Sequence, residues 1–257
     1  MYKLSVGALF KNESHSMKEW LEHYLFHGVE HFYLINDGST DHTVEVLKPY
    51  IENGKVTLFN ATWEYYLGRQ RDMYNHYLLP ILKESEWLIV VDLDEYLWSP
   101  TYIDLKNIFD NCKHIGQIQV GHTLFGSNGH EEQPRFLLNG FTKRSAAQPY
   151  EEYGNFKYIV NSGFQFSSLN VHHATFVNKE DETNKFIILG PEHLILNHYS
   201  CQSKEFWRTV KCTRGDSDNY LHTNRNETFN RYDKNDVDDF RLWEQNKNIR
   251  IYSEENI

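Results

Sequence analysis

The stretch Leu88-Ile89-Val90-Val91-Asp92-Leu93-Asp94-Glu95-Tyr96 decides the fold class. It opens as a short, continuous, β-branched run, the pattern of a strand buried on both faces. Three carboxylates close it. Carboxylates do not belong inside such a strand, so Asp92, Asp94 and Glu95 are expected at or just past its C-terminal end. In open α/β sheets that end is where ligands bind. Two aspartates at i and i+2 turn their oxygens toward one hard cation, and Mg²⁺ or Mn²⁺ takes oxygen ligands shared with substrate phosphates. The plainer alternative is a solvated acidic turn after a core strand.

Upstream, residues 4–10 read as a first core strand rather than a signal peptide, because the apolar stretch is short and runs into Lys11-Asn12-Glu13-Ser14. Ser14 or Ser16 is placed to cap the next helix, with Glu19 completing a capping box on Ser16. Trp20, Leu21, Tyr24 and Leu25 give that helix an apolar face, and Gly28 ends it. Residues 31–36 are a second strand, 37–41 a turn, and Thr40 or Asp41 caps a helix carrying Val44, Val46, Leu47 and Tyr50. Residues 56–59 are a third strand, 69–83 a helix and 87–92 the fourth strand. Strands alternating with helices imply a mostly parallel sheet covered on both faces. Such a sheet gathers the polar strand ends at 11–13, 37–41 and 92–95 on one rim. Beyond Tyr96 a helix over 102–111, a strand over 116–123 and a Gly-rich loop over 125–130 are expected. Short strands over 141–144, 157–160, 171–176 and 194–199 follow, then a helix over 203–214. From Asp216 the chain reads as a polar wrap-around tail with one helix near 236–245.

The chain has 257 residues, 40% of them hydrophobic and 15% aromatic, which suits one large domain. A net charge of -10 supplies no basic face, so nucleic acid is not an expected partner, and adhesion to anionic membranes is disfavoured. Cys112, Cys201 and Cys212 form no CxxC pattern and no even disulfide framework, which points to reduced thiols in a cytoplasmic compartment. No apolar run approaches the roughly 20 residues of a membrane span.

Phe10-Lys11-Asn12-Glu13, Glu19-Trp20-Leu21-Glu22-His23-Tyr24, Gly28-Val29-Glu30-His31-Phe32-Tyr33, Asn36-Asp37-Gly38-Ser39-Thr40-Asp41 and Asp92-Leu93-Asp94-Glu95-Tyr96 occur in that order. Phe125-Gly126-Ser127-Asn128-Gly129-His130, Phe141-Thr142-Lys143-Arg144, Asn197-His198-Tyr199, Ser203-Lys204-Glu205-Phe206 and Thr213-Arg214-Gly215 continue the series. In order and spacing this resembles the glycosyltransferase family 92 and family 2-like group, from about residue 4 to 240. The resemblance implies a GT-A (Rossmann-like) α/β fold and a DxD motif. It also implies a transferase that depends on a nucleotide sugar and a divalent metal. Animal members carry a membrane anchor ahead of the catalytic domain, and no segment here reads as one. The division it suggests is a nucleotide-sugar-binding half (1–98), an acceptor-side half (99–215) and a C-terminal tail (216–257).

Within that reading Asp94 holds Mn²⁺ (or Mg²⁺), with Asp92 nearby as a second ligand. By resemblance Asp92 instead contacts the ribose or a metal-bound water. Glu95 is either an orienting residue or a surface one. His198 is the expected third ligand, ahead of His172 and His173. Lys11, Asn12, Glu13, Asp37 and Ser39 would flank the base and ribose of the donor, for which a UDP-sugar is favoured. Arg71, with Arg69 and Gln70, lies at a helix start and is assigned to the donor, a solvated helix face being the alternative for one of the two arginines. Arg214 is preferred over Lys204 and Lys211 as the diphosphate clamp. A base near the acceptor, a glycan or other hydroxyl compound, is sought among Glu131, Glu132, His130 and His122. Inversion by single displacement is expected, since no residue stands out as a covalent nucleophile. Two rivals are a sugar-phosphate nucleotidyltransferase, whose Gly/Arg-rich first loop is missing, and a non-catalytic glycan- or nucleotide-sugar-binding protein of the same fold.

Overall fold

In the first strand, β1 (Tyr2–Phe10), alternate side chains enter opposite layers of core. Leu4, Val6, Ala8 and Phe10 pack with Trp20, Leu21 and Tyr24 of α1 (Met17–Phe26), whereas Leu9 joins Tyr33, Met73, Tyr74 and Leu78 on the other face. This two-faced burial is why the strand reads as continuously apolar. The computed structural model describes residues 1–147, 156–213, 217–218 and 225–253.

The chain continues through β2 (His31–Asn36), α2 (Thr43–Glu52), β3 (Val56–Asn60), α3 (Arg69–Met73), β4 (Ser85–Val90) and β5 (Glu95–Trp98). Next come α4 (Lys106–Phe109), β6 (Gln117–Leu124), α5 (Leu137–Gly140), β7 (Lys143–Arg144), β8 (Phe156–Asn161), β9 (Phe166–Leu169) and β10 (Ala174–Phe176). The remaining elements are α6 (Lys179–Asn184), β11 (Phe186–Ile188), β12 (Ile195–His198), α7 (Lys204–Phe206), α8 (Arg225–Tyr232), β13 (Val237–Asp238), α9 (Arg241–Asn246) and α10 (Arg250–Ser253).

Nine strands form the main sheet in the order β3-β2-β1-β4-β8-β6-β12-β5, with β11 added beside β6. The first four strands are parallel, as the alternation of strands and helices predicts. The second half departs from that pattern, because β8 runs against both β4 and β6, and β5 runs against β12. The sheet is therefore mixed, and it cannot be flat. From β4 to β5 is four strand spacings, about 19 Å in a flat sheet. Residues 91–94 alone join them, and a fully extended link of that length reaches about 17 Å. That link is not extended, since the Glu95 N–H donates to the Asp92 carbonyl at 3.2 Å. The sheet must curl, and the turn carrying the carboxylates crosses the inside of the curl.

Several expected elements differ in detail. The helix expected over 69–83 begins as α3, passes through a π turn (Tyr74–Leu78) and ends as a tight 3₁₀ segment (Leu79–Glu84), where Pro80 has no N–H to give. The helix over 102–111 shrinks to α4 and one following turn. The Ser99 hydroxyl accepts from the Thr101 and Tyr102 N–H groups, and the Asp104 carboxylate from that of Lys106, so side chains satisfy the backbone instead. The tail is more structured than expected. Its α8, β13, α9 and α10 pack back on the domain, and Asp239 binds Arg144 at 2.7 Å.

The capping box on Ser16 does not form. Glu19 instead accepts from the Leu137 and Leu138 N–H groups at 2.6 and 3.1 Å and from the Tyr252 hydroxyl at 2.8 Å. A carboxylate on α1 thus caps α5 and anchors α10. Burial pushes its carboxyl up to about 7, against those three donors. A folded-state value above the usual one near 4.5 stabilises the protein fully below pH 4.5, and that stabilisation is lost as pH rises toward 7. Urea unfolding of the wild type and of Glu19→Gln from pH 4.5 to 7.5 tests this. The wild type is expected to lose about 3 kcal/mol relative to the variant across that window; parallel pH profiles would contradict it.

Candidate active site

The three polar strand ends do meet on one rim. Asn12 follows β1 in the left-handed region at φ 55, a conformation asparagine tolerates better than most residues. Its N–H donates to the Ser39 hydroxyl at 3.0 Å, and its side-chain oxygen accepts from the Thr40 N–H at 2.7 Å. The Glu13 N–H donates to the Thr43 hydroxyl, and Asp41 accepts from the N–H groups of Ser14 and Thr43. The loops after β1 and β2 are thus stitched together before any ligand arrives.

Asp37 lies between these loops and α3, and its buried carboxylate binds Arg69. The Arg69 guanidinium is itself fully buried, stands 4.2 Å from the centre of the Tyr65 ring and donates to the Ser217 carbonyl at 2.8 Å. The Lys11 ammonium donates to the Tyr65 hydroxyl at 2.7 Å. Arg71 points the other way, onto the exposed face of α3, where it pairs with Asp72 at 2.8 Å. Of the two arginines, Arg69 faces the rim, since residues two apart on a helix lie on different faces.

Asp92 and Asp94 occupy the 91–94 turn and Glu95 begins β5. Trp20 on α1 donates its indole N–H to the carbonyls of Asp92 and Glu95 at 3.2 and 3.1 Å, and the Tyr24 hydroxyl donates to the Glu95 carbonyl at 3.0 Å. Two residues of the apolar helix face therefore fix the turn by their polar tips. Glu95 is fully buried, and its side chain accepts the Asp92 N–H at 2.8 Å, which rules out the surface reading. One oxygen from each of Asp92, Asp94 and Glu95 lies within 4.8 Å of the others.

Four basic groups surround these carboxylates. Lys157 on β8 keeps only 2% of its side chain exposed; its ammonium lies 2.7 Å from Asp92 and 3.7 Å from Glu95. Lys211 lies 2.7 Å from Asp94. His122 Nε2 is 3.0 Å from Glu95, and His198 Nε2 is 3.7 Å from Asp94. The register pairs His198 directly with Glu95 across β12 and β5. Burial opposes ionisation of Glu95, but Lys157 and then His122 bring its carboxyl down to about 2. Burial pushes Asp92 upward; Lys157 pulls against that, while Glu95 and Asp94 add to it. Burial, and then His122, hold the His198 imidazole down at about 4, so it is neutral at pH 7.

The donor set suits a divalent cation. Asp92, Asp94 and Glu95 offer hard oxygens, His198 offers a neutral imidazole nitrogen, and Glu95, His122 and His198 likewise bring one ligand atom each within 4.8 Å of one another. Mn²⁺ accepts such a mixed set more readily than Mg²⁺.

Other expected residues fall outside this cluster. Glu131 and Glu132 are exposed on the loop after β6, and Glu131 is held by Lys204. His130 is turned to the Gly140 carbonyl at 2.9 Å, and His172, exposed, to that of Phe156 at 3.0 Å. Arg214 lies outside the described residues. Lys157 is the residue the sequence reading missed. The available signal was a lysine at the head of the apolar strand Tyr158-Ile159-Val160.

The family model for glycosyltransferase family 92 matches residues 3–251. A glycosyltransferase family 92 protein of Oryza sativa subsp. japonica is 24% identical over 212 residues, covering 80% of this chain and 35% of that protein. A galactan beta-1,4-galactosyltransferase of Arabidopsis thaliana is 25% identical over 122 residues, covering 44% of this chain and 24% of that protein. Among solved structures, S. aureus TarS 1-349 in complex with UDP-GlcNAc is 15% identical with a TM-score of 0.46, over 79% of this chain and 60% of that one. The chain spans about a third of the length of the curated family 92 relatives it matches. Matched over all but its outermost residues, the chain belongs to glycosyltransferase family 92.

Proposed function

We propose that this chain transfers a sugar from a nucleotide-sugar donor, with a UDP-sugar favoured, to a hydroxyl of a glycan or related acceptor. The transfer inverts the anomeric carbon by single displacement and uses Mn²⁺ (or Mg²⁺). The observation that carries this reading is the gathering of Asp92, Asp94 and Glu95 within 4.8 Å, on the rim where the loops after β1 and β2 also end. Family membership supports sugar transfer as the reaction class.

The rim divides the work. Lys11, Asn12, Glu13 and Ser39 frame the nucleoside. Asp37, oriented by Arg69, accepts from a base imino N–H or a ribose hydroxyl. Asp92, Asp94 and His198 hold the cation. When bound, the cation offsets the negative charge that builds on the departing diphosphate. Lys211, at the edge of the cluster, adds positive charge on the same side. Glu131 or Glu132 takes the proton of the acceptor hydroxyl. The freed oxygen bonds to the anomeric carbon, and the electron pair of the broken C–O bond leaves with the nucleoside diphosphate. A cytoplasmic compartment fits the three cysteines, none of which forms a disulfide. Among the described residues no helix is long and apolar enough to cross a membrane.

A thermal-shift panel of UDP- and GDP-sugars with and without Mn²⁺ tests the reading, since a ligand that binds only the native state raises Tm. At least one donor is expected to raise Tm in a Mn²⁺-dependent way. Silence across the panel, with no donor hydrolysis, would favour a non-catalytic glycan-binding protein. Asp94→Asn is expected to remove the Mn²⁺-dependent shift and to lower donor turnover by about 100-fold or more while circular dichroism stays native; unchanged turnover would remove Asp94 from the metal site. Of Glu131→Gln and Glu132→Gln, the variant lacking the base should lose about 10²- to 10⁴-fold in kcat with donor binding retained. Loss of donor binding instead would place the residue on the donor side.

A further inference from the structure

Lys157 has no role in the reaction as written above, yet it sits against two of its three carboxylates. Its ammonium is 2.7 Å from Asp92 and 3.7 Å from Glu95, and 2% of its side chain is exposed. It enters from β8, which runs between β4 and β6, so the strand fixes its backbone and the packed sheet surrounds its stem. A surface lysine can swing away from an arriving cation. This one has no open solvent to enter.

We propose that Lys157 is a positioning residue that makes cation binding conditional on the donor's diphosphate. The inference rests on the metal-assisted reading above. Two like charges a few ångströms apart repel strongly in a partly buried site. A dication on Asp92 and Asp94 therefore meets opposition before any nucleotide is present. An Asp92 oxygen already carries the Lys157 ammonium and an Asp94 oxygen that of Lys211, and both repel the incoming charge; Lys157 is the more deeply held, with 2% of its side chain exposed against 15% for Lys211. A nucleoside diphosphate brings further negative charge and its own oxygen ligands to the cation, which offsets the repulsion. The protein alone then binds Mn²⁺ weakly, and the protein with nucleotide binds it well. By reciprocity, Mn²⁺ tightens nucleotide binding by the same factor. Lys157 also compensates Asp92 and Glu95 while the cation is away, so the turn keeps its shape between turnovers.

Mn²⁺ affinity, read by electron paramagnetic resonance of the free ion with and without saturating UDP, tests this on the wild type and on Lys157→Met, Lys157→Gln and Lys157→Arg. Lys157→Gln keeps an amide donor for Asp92 and serves if the methionine variant does not fold. In the wild type UDP is expected to tighten Mn²⁺ binding at least about tenfold. The neutral variants should bind Mn²⁺ at least about tenfold tighter than wild type without UDP, with most of the UDP effect gone. Lys157→Arg should behave as wild type. Neutral variants with unchanged or weaker Mn²⁺ affinity would reduce Lys157 to a structural partner of Asp92 and overturn the proposal. Wild type that binds UDP but no Mn²⁺ in either condition would overturn it while leaving nucleotide recognition standing. Wild type that binds neither would overturn both it and the functional reading.

Discussion

Four residues carry the chain from β4 to β5, across the width of three intervening strands. That short link is the constraint on which the rest depends. It forces the sheet to curl and draws the turn at 91–94 inside the curl. It also leaves Asp94 and Glu95 buried, where a longer loop would have let them reach water. A buried carboxylate is costly unless paired or hydrogen-bonded. The surroundings supply both. Trp20 and Tyr24 hold the carbonyls of the turn, the Asp92 N–H is spent on Glu95, and Lys157 and Lys211 bring positive charge to Asp92 and Asp94.

The same arrangement explains why the rim is organised before ligand arrives. The loops after β1 and β2 are tied through Asn12, Ser39, Asp41 and Thr43, and the buried Arg69 pairs with Asp37. Groups fixed in this way lose little freedom when a ligand binds, so more of the contact energy appears as affinity. On the far side of the carboxylates, the Gly-rich loop at 125–130 is held by the tail. The Ser127 N–H donates to Asp233 at 2.7 Å and the Asn128 N–H to Asn235 at 2.8 Å. The loops after β1 and β2 and the Gly-rich loop are thus each braced by residues distant in sequence.

Much of the first half was legible in the sequence, because its signals are local. Apolar runs bounded by polar loops mark β1 to β4, and Gly28, at φ 91, ends α1 as its position suggests. The second half was harder to read. Its strands are short, and β8 and β5 owe their direction to partners far along the chain rather than to any pattern of their own. Asp92 and Asp94 were singled out by type and spacing and His198 by its place at the end of an apolar strand, and the fold brings all three to one cluster. Lys157 was not singled out, since a lysine beside an apolar strand looks like an edge residue until the sheet closes over it. Arg71 was assigned to the donor from the sequence, but the facing of α3 turns Arg69 to the rim and leaves Arg71 on the exposed face. Glu19 has the spacing of a capping box, yet its carboxylate caps α5, 118 residues further on.

The carboxylate turn is proposed here as a metal–diphosphate centre. Crystals grown with UDP and Mn²⁺, measured for anomalous scattering at the manganese edge, test it most directly. The account predicts one strong peak within bonding distance of an Asp94 oxygen and of the UDP phosphates, with Lys157 still beside Asp92. UDP bound at the rim with no manganese peak at Asp94, or with manganese held elsewhere, would contradict it.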